Sequence, residues 1–439
     1  MEVHGVVADT VQMSNYVILA TVDTTSYDSL KDLYEVILSL KKDVFADNER
    51  IIVRYSNANA LDLVGQLLTV VDIPDYFVIF EQISSTNGID FTLSNSHCIY
   101  PWINLEVGNL GDIKPCCVYK ESIANIHTSS LKDAYFSTGM TTLRQQFRNG
   151  EYSPNCSTCW KNESAGIVSL RQIARHKLKD KFYRLDYVND DYRNLQMFDL
   201  KLSISCNLSC KICNRQSSSK IAEQDFAAGI ISKIQLSDLK NKAKWAESDN
   251  FWNQLLDIMH NLKYLDLYGG EPLMSKSHFK FLQKLIDVGV ASNIKLDYNS
   301  NGTVFSEKFF DLWHHFKEVK VSFSIDDIED RFENQRCGAV WVTVCENLKK
   351  FNSHRSNKFI SEIYTTINSQ NVFWIPELLD WYYTQEFDHI AFNMLYDPIE
   401  YCIDSMSLDD KARTINKLSQ ASGHPIFQTL VDILKSPKI

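Results

Sequence analysis

Several protein classes are excluded by what this chain lacks. Its 439 residues contain no run of 18 or more apolar residues, so the sequence offers no membrane-spanning helix. The first 16 residues have no basic stretch followed by an apolar one, the pattern of a secretory signal, and a cytoplasmic location is expected. Glycine (15) and proline (9) are scarce, which excludes collagen-like and low-complexity chains. Positive charge is in deficit. With 45 Lys and Arg against 55 Asp and Glu the net charge is -10, so neither nucleic acid nor an anionic membrane surface is an expected partner. No short sequence period repeats, and no two histidines have metal-site spacing: His314 and His315 are neighbours on an expected helix, where their side chains diverge. His97 is expected to pack locally.

The composition is that of a folded globular protein, 44% hydrophobic and 23% charged, with length for several domains. Over residues 1–92, strand-like runs at Tyr16–Val22, Arg50–Tyr55 and Tyr76–Ile83 alternate with helical patterns at Ser29–Asp43 and Ala60–Val71. This predicts a small α/β domain without cysteine, suited to binding a substrate or partner. The polar stretch 86–95 reads as a linker. Residues 93–180 form a cysteine-bearing, strand-poor segment, and the charge-dense stretch 170–193 predicts a helical connector. From 190 to 400 the runs MFDLKLSIS, KYLDLYG, NIKLDYNS, VKVSFSID, FISEIYTTI and HIAFNMLY alternate with helix-length patterns such as Phe279–Val288, Phe309–Phe316, Val340–Phe351 and Ile375–Tyr383. Strands alternating with helices predict a parallel sheet, here an α/β fold of six units forming a partial (β/α)6 barrel. Residues 401–439 read as a closing helix and tail.

Cysteine is what the chain has in quantity. There are eleven, and in an unexported chain clustered cysteines serve metals or catalysis more often than disulfides. Directly after the first barrel strand, ISCNLSCKICN places Cys206, Cys210 and Cys213 in a C-x3-C-x2-C pattern on a loop. Three thiolates can hold a [4Fe-4S] cube and leave one iron open; zinc with three ligands and water is the alternative. At the end of the second strand stands YGGEP, residues 268–272. The C-terminal ends of barrel strands are where such folds build their sites.

The loop, the YGGEP motif and their order along the barrel resemble the radical S-adenosylmethionine (SAM) superfamily. The resemblance implies that Gly269, Gly270, Glu271 and Pro272 hold the methionine part of SAM, the glycines allowing close approach and Glu271 accepting from the ammonium. It also implies that Asn299, Ser324 and Asp326 lie near the ribose and carboxylate. Arg336, in ENQRCGAVW, resembles an arginine that pairs with the SAM carboxylate in peptide-modifying members. The implied chemistry is one-electron cleavage of SAM to a 5′-deoxyadenosyl radical that abstracts hydrogen from a substrate, with flavodoxin or ferredoxin as electron donor.

Upstream, Cys98, Gly111, Cys116, Cys156 and Cys159 follow the order C…G-x4-C…C-x2-C, which resembles the auxiliary-cluster modules called SPASM and twitch; SAGIVSLRQ, which follows, is similar to twitch-containing proteins. Four thiolates imply a second, fully ligated [4Fe-4S] cluster suited to electron transfer. Cys117 could stand in for Cys116, and structural zinc is an alternative occupant. Such modules normally follow the radical SAM core, whereas this one precedes it. Cys337, Cys345 and Cys402 lack ligand spacing and are expected to be inert, buried thiols. The implied function is modification of a peptide or protein side chain. Dehydrogenation of a small polyol or aminocyclitol is the second enzymatic reading, and a non-catalytic metal-binding scaffold is the reading from another class. Residues 1–90 do not resemble the winged-helix element that binds leader peptides in many maturases.

Overall fold

The structure, a computed structural model, describes strand residues 2–3, 6–7, 11–13, 16–23, 49–55 and 78–82, then 96–164, 168–178, 185 and 187–435. The helices expected at 29–43 and 60–71 and the linker at 86–95 lie outside the described residues. The chain divides into two compact units, 1–102 with 138–191, and 103–137 with 192–439.

In the first unit, β1 (Glu2–Val3), β2 (Val6–Val7), β3 (Val11–Met13), β4 (Tyr16–Asp23), β5 (Glu49–Tyr55) and β6 (Val78–Gln82) form one sheet. The three strands expected from sequence are parallel neighbours, β4 to β5 to β6. The short β1 to β3 were not anticipated; they pair antiparallel, β1 on β2 and both β2 and β3 on β4. Helices Thr138–Arg148, Ser157–Ser164 and Leu170–Lys177 follow in the second stretch of this unit, so the expected connector 170–193 is helical only to Lys177 among the described residues. The guanidinium of Arg144, fully buried, donates from Nε and Nη2 to the Pro101 carbonyl (2.9 and 2.7 Å) and pairs with Asp190 at 3.2 Å, which is how a buried cation is accommodated.

The second unit holds a nine-stranded sheet. In chain order its strands are β7 (Asn104–Val107), β8 (Asp112–Lys114), β9 (Ala124–Asn125), β10 (Met197–Lys201), β11 (Tyr264–Tyr268), β12 (Lys295–Ser300), β13 (Glu318–Ser324), β14 (Phe359–Ile367) and β15 (His389–Met394). The last six are the expected barrel strands, each parallel to the next, with helices Lys276–Asp287, Glu307–Trp313, Trp341–Asn352 and Ile375–Tyr383 between them. This is the partial (β/α)6 barrel. One difference is instructive. The segment read as strand-poor supplies β7, which runs parallel to β10 and adds a seventh parallel strand, while β8 and β9 extend the sheet antiparallel. Gly111, at φ +85°, makes the tight turn from β7 into β8, and a Cβ there would stand 2.7 Å from Ile126. The chain closes on two helices, Leu408–Gln420 and Ile426–Lys435, where one was expected. Among the described residues no helix is long and apolar enough to cross a membrane.

Alternation sets the two faces of the barrel sheet. Leu265, Leu267, Leu296, Tyr298, Val319, Val321 and Phe323 are buried on one face, and Phe323 meets Phe351 of helix Trp341–Asn352 edge-on at 4.9 Å between centroids. The intervening positions form a polar row in register across five strands: Glu106, Asp199, Asp266, Asp297 and Lys320.

A buried relay ties the second strand's motif to the aromatic core. Trp313 Nε1 donates to the Tyr298 hydroxyl (3.2 Å), Tyr298 lies 2.8 Å from His278 Nε2, and His278 Nδ1 lies 3.3 Å from the Pro272 carbonyl. Because a carbonyl only accepts, Nδ1 carries the proton and Nε2 accepts from Tyr298. Burial pushes His278 down to about 4, the hydrogen bond to Pro272 opposing. A depressed histidine pKa stabilises the fold fully above the unfolded value and ceases to do so as pH falls through the folded one. We therefore expect His278 to remove about 3 kcal/mol of stability as pH falls from 6.5 to 4. Denaturant unfolding across this window should show a flatter profile for His278→Leu than for the unmodified chain; equal slopes would contradict this assignment.

Candidate functional site

The cysteine loop, residues 202–217, leaves β10 and enters helix Ser219–Ala227. Its anchors are local. Ser218 caps that helix through its hydroxyl, which also donates to the Leu208 carbonyl at 2.6 Å, and Ser219 Oγ accepts from the Cys206 amide at 3.2 Å. From across the sheet mouth, Ser209 and Lys211 amides donate to the Cys337 and Gln335 carbonyls, both at 2.9 Å, so the loop is laced to the segment that carries Arg336.

Burial pushes Cys210 up to about 12; Arg336 opposes, and the thiols of Cys213 and Cys206 add to the rise. Cys206 and Cys213 are raised for the same first reason, burial. Thiols drawn together in a half-buried loop resist ionising until a positive centre joins them, which is what iron supplies.

Gly269 and Gly270 have φ of +83° and +44°. A Cβ on Gly270 would overlap the Ser205 carbonyl and stand 2.9 Å from that of Ser203; on Gly269 it would meet Asn109 and Lys201. The glycines thus bring the motif against the protein's own cysteine loop. Glu271 completes the clamp. Its amide donates to the Ser205 carbonyl at 2.7 Å, Oε1 accepts from the Leu273 amide (3.1 Å) and Ser300 hydroxyl (3.0 Å), and Oε2 accepts from the Asn301 amide (2.7 Å). The side chain expected to receive an ammonium is 1% exposed and spends its acceptors on the ends of β11 and β12. Burial pushes it up to about 7, against those hydrogen bonds. Pro272 is buried and receives the His278 relay.

Arg336 Nη2 pairs with Asp326 Oδ2 at 2.7 Å, and Asp326 Oδ1 accepts from the Thr366 amide at 2.9 Å. Arg336 Nε is buried without a partner among the described residues. A buried cation with an unused donor near the Cys210 and Cys213 thiols suits an anionic group there, and the donor set fits an iron–sulfur cube with an anionic amino-acid ligand. Asn299, exposed, lies on the polar face of β12, and Ser324 lies on the same face at the end of β13. Among the described residues no hydrogen bond brings these two to the group just described. Asn301 ties the end of β12 to the cysteine loop: its Nδ2 donates to Asn207 Oδ1 at 3.1 Å and its Oδ1 accepts from the Thr303 amide at 2.9 Å.

The upstream cysteines separate by unit. In the first unit, Cys98 is pushed up by burial and then by Cys156 and Cys159, and burial with Cys159 pushes Cys156 up to about 12, so each thiol disfavours ionisation of its neighbours. The Arg171 amide and Ser169 side chain hydrogen-bond to Cys159, giving the SAGIVSLRQ stretch a local role. Arg171 is fixed in turn by ion pairing with Glu163 and by donating to the His97 carbonyl at 3.0 Å. His97 stacks on Trp102 at 5.1 Å and meets Tyr187 edge-on, the packing role expected of it. In the second unit, Cys116 is buried, and Cys117 faces the polar sheet row: burial, then Asp199 and Glu106, push its thiol up, and Tyr268 hydrogen-bonds to it. Cys402 is buried as expected, but Cys337 and Cys345 are only half-buried. Among the described residues no three His, Cys, Asp or Glu side chains are grouped as a single metal ion requires.

Residues 98–160 match the family model of SPASM, an iron–sulfur cluster-binding domain. The cysteine-rich segment therefore carries a SPASM-type iron–sulfur module. No curated protein matches the chain. Among solved structures it is similar to anSMEcpe with bound AdoMet and the Cp18Cys peptide (15% identity, TM-score 0.34, 51% of this chain and 58% of that one). It is also similar to Streptococcus suis SuiB bound to precursor peptide SuiA (15%, 0.34, 61% and 60%) and to TYW1 with a lysine–pyruvate adduct (15%, 0.31, 52% and 74%). The chain thus spans less than two thirds of the length of the first of these structures.

Gly270→Ala combines a positive φ with overlap on a backbone carbonyl. We expect it to cost about 2–3 kcal/mol and to lower iron bound at Cys206, Cys210 and Cys213. Thermal unfolding and iron analysis of the reconstituted variant check this, and unchanged values in both would refute the clamp.

Proposed function

We propose that the chain is a radical SAM enzyme that modifies a peptide or protein side chain by hydrogen abstraction, assisted by a second [4Fe-4S] cluster. One observation carries the reading. The Cys206–Cys210–Cys213 loop, the Gly269–Pro272 motif and Arg336 with its unused donor are tied together at the C-terminal ends of a parallel sheet. A [4Fe-4S] cluster on those three thiolates, with SAM bound, supplies one-electron cleavage of SAM to a 5′-deoxyadenosyl radical.

In this reading the protein's own groups bind and hold. Arg336, paired with Asp326, offers Nε to the SAM carboxylate. Glu271 acts at one remove as a positioning residue, fixing the cysteine loop and the β12 end around the site. Asn299 and Ser324 remain available on the polar face for the ribose and carboxylate. The second cluster is assigned Cys98, Cys156, Cys159 and Cys116 on the matched SPASM segment and its cysteine order. The commitment of Cys117 to the polar sheet row favours Cys116 as the ligand. The peptide or protein substrate rests on the SPASM module, whose relatives often act on ribosomal peptides. An electron donor such as flavodoxin or ferredoxin completes the scheme.

Anaerobically reconstituted protein is expected to hold two [4Fe-4S] clusters by iron and sulfide analysis. Replacing Cys206, Cys210 and Cys213 together with Ala should abolish formation of 5′-deoxyadenosine under dithionite. Replacing Cys156 and Cys159 should spare it and block substrate turnover. If folded, fully reconstituted protein cleaves no SAM, the proposal fails.

A further inference from the structure

A surface cleft of about 580 Å³ lies in the second unit, lined among others by Lys114, Lys120, His127, Lys242 and Gln216, with Asp112 as its one carboxylate. Its charge runs against that of the molecule, which is net -10. Lys120, His127, Gln216 and Lys242 are exposed. Lys242 pairs with Asp238 at 2.8 Å, while Lys114 and Lys120 have no ion-pair partner among the described residues. The cleft is a built feature. His127 Nε2 lies 3.0 Å from the Lys242 carbonyl, fastening the loop after β9 to helix Lys233–Lys242.

One wall belongs to the cysteine loop. Gln216 is three residues past Cys213, its amide donates to Asn214 Oδ1 at 2.9 Å, and Cys213 Sγ lies 3.8 Å from the Asn214 carbonyl. The turn between β7 and β8, which carries the lining residue Leu110, is braced to the same loop by Asn109 Nδ2, which donates to Ser217 Oγ at 3.1 Å. An anionic protein seated on these lysines is therefore brought beside the loop expected to hold the reducible cluster.

We propose that this basic cleft is the docking surface for a small acidic one-electron carrier protein, which gives one electron to the cluster on Cys206, Cys210 and Cys213 and leaves oxidised by one electron. The inference rests on the reading of that loop as a cluster site. Charge complementarity fixes the kind of partner: steering by lysines accelerates encounter with an acidic protein and weakens with salt.

The test uses the full-length chain with Lys114, Lys120 and Lys242 all changed to Glu, beside a control in which the exposed Lys276, Lys308 and Lys349 are changed to Glu for the same change in charge. The probes are an acidic flavodoxin and an acidic ferredoxin. Binding of each oxidised carrier is measured by titration calorimetry at two salt concentrations. Cluster reduction is then followed by absorbance with each reduced carrier and with dithionite. We expect the cleft variant to bind at least tenfold more weakly than the control, and to be reduced at least tenfold more slowly by the carriers but at an unchanged rate by dithionite. Equal binding by the cleft variant and the control would overturn the proposal, as would a short poly-glutamate peptide that matches the carriers in affinity. Absence of a dithionite-reducible cluster on the unmodified loop would instead strike the functional reading, while carrier binding still reports on the cleft.

Discussion

Glu271 holds the mouth of the barrel through a single carboxylate and a single amide. The amide grips the cysteine loop at Ser205, and the carboxylate gathers the Leu273 amide, the Ser300 hydroxyl and the Asn301 amide. Two strand ends and the metal-site loop are thereby fixed by one buried group. The absence of a side chain at Gly270 is what permits the approach, since any Cβ would overlap the Ser205 carbonyl. Everything proposed for the site depends on this clamp: the loop carrying Cys206, Cys210 and Cys213 has no regular structure of its own and takes its shape from what holds it.

The polar face of the sheet presents a different balance. Lys201 meets Glu106 at 2.6 Å, Lys295 meets Glu318 at 2.7 Å, and Lys320 lies 3.2 Å from Asp297 and 3.5 Å from Glu362. Asp199, between Glu106 and Asp266 in register, is pushed well up by burial and then by those two carboxylates, and Asn104 donates to it at 3.3 Å. A protonated Asp199 relieves the repulsion in a row where carboxylates outnumber lysines. Cys117 joins this same neighbourhood through Tyr268.

The six barrel strands were legible because each alternates apolar with polar positions or ends on a turn, as in YLDLY and KLDYNS. The cysteine loop and the YGGEP motif were legible from spacing and order. The internal role of Glu271 was not, because its partners Ser300 and Asn301 are about thirty residues away and ordinary turn residues in sequence. β7 was overlooked although NLEV alternates, since four residues give little periodic signal beside a cysteine-rich stretch. The basic cleft was invisible for another reason: Lys114, Lys120 and Lys242 are scattered through a chain of negative net charge, and only folding brings them to one surface.

The partnership of β7 and β10 bears on how the molecule can be made and divided. Asn104 pairs with Met197, which is synthesised 93 residues later, and the second stretch of the first unit, 138–191, lies within that interval. The two units are thus interleaved along the chain, and no single cut of the backbone separates them. A nascent chain must hold β7 without its parallel neighbour until the ribosome has passed residue 201, a long-range closure of the kind that slows folding and leaves a strand edge in need of protection.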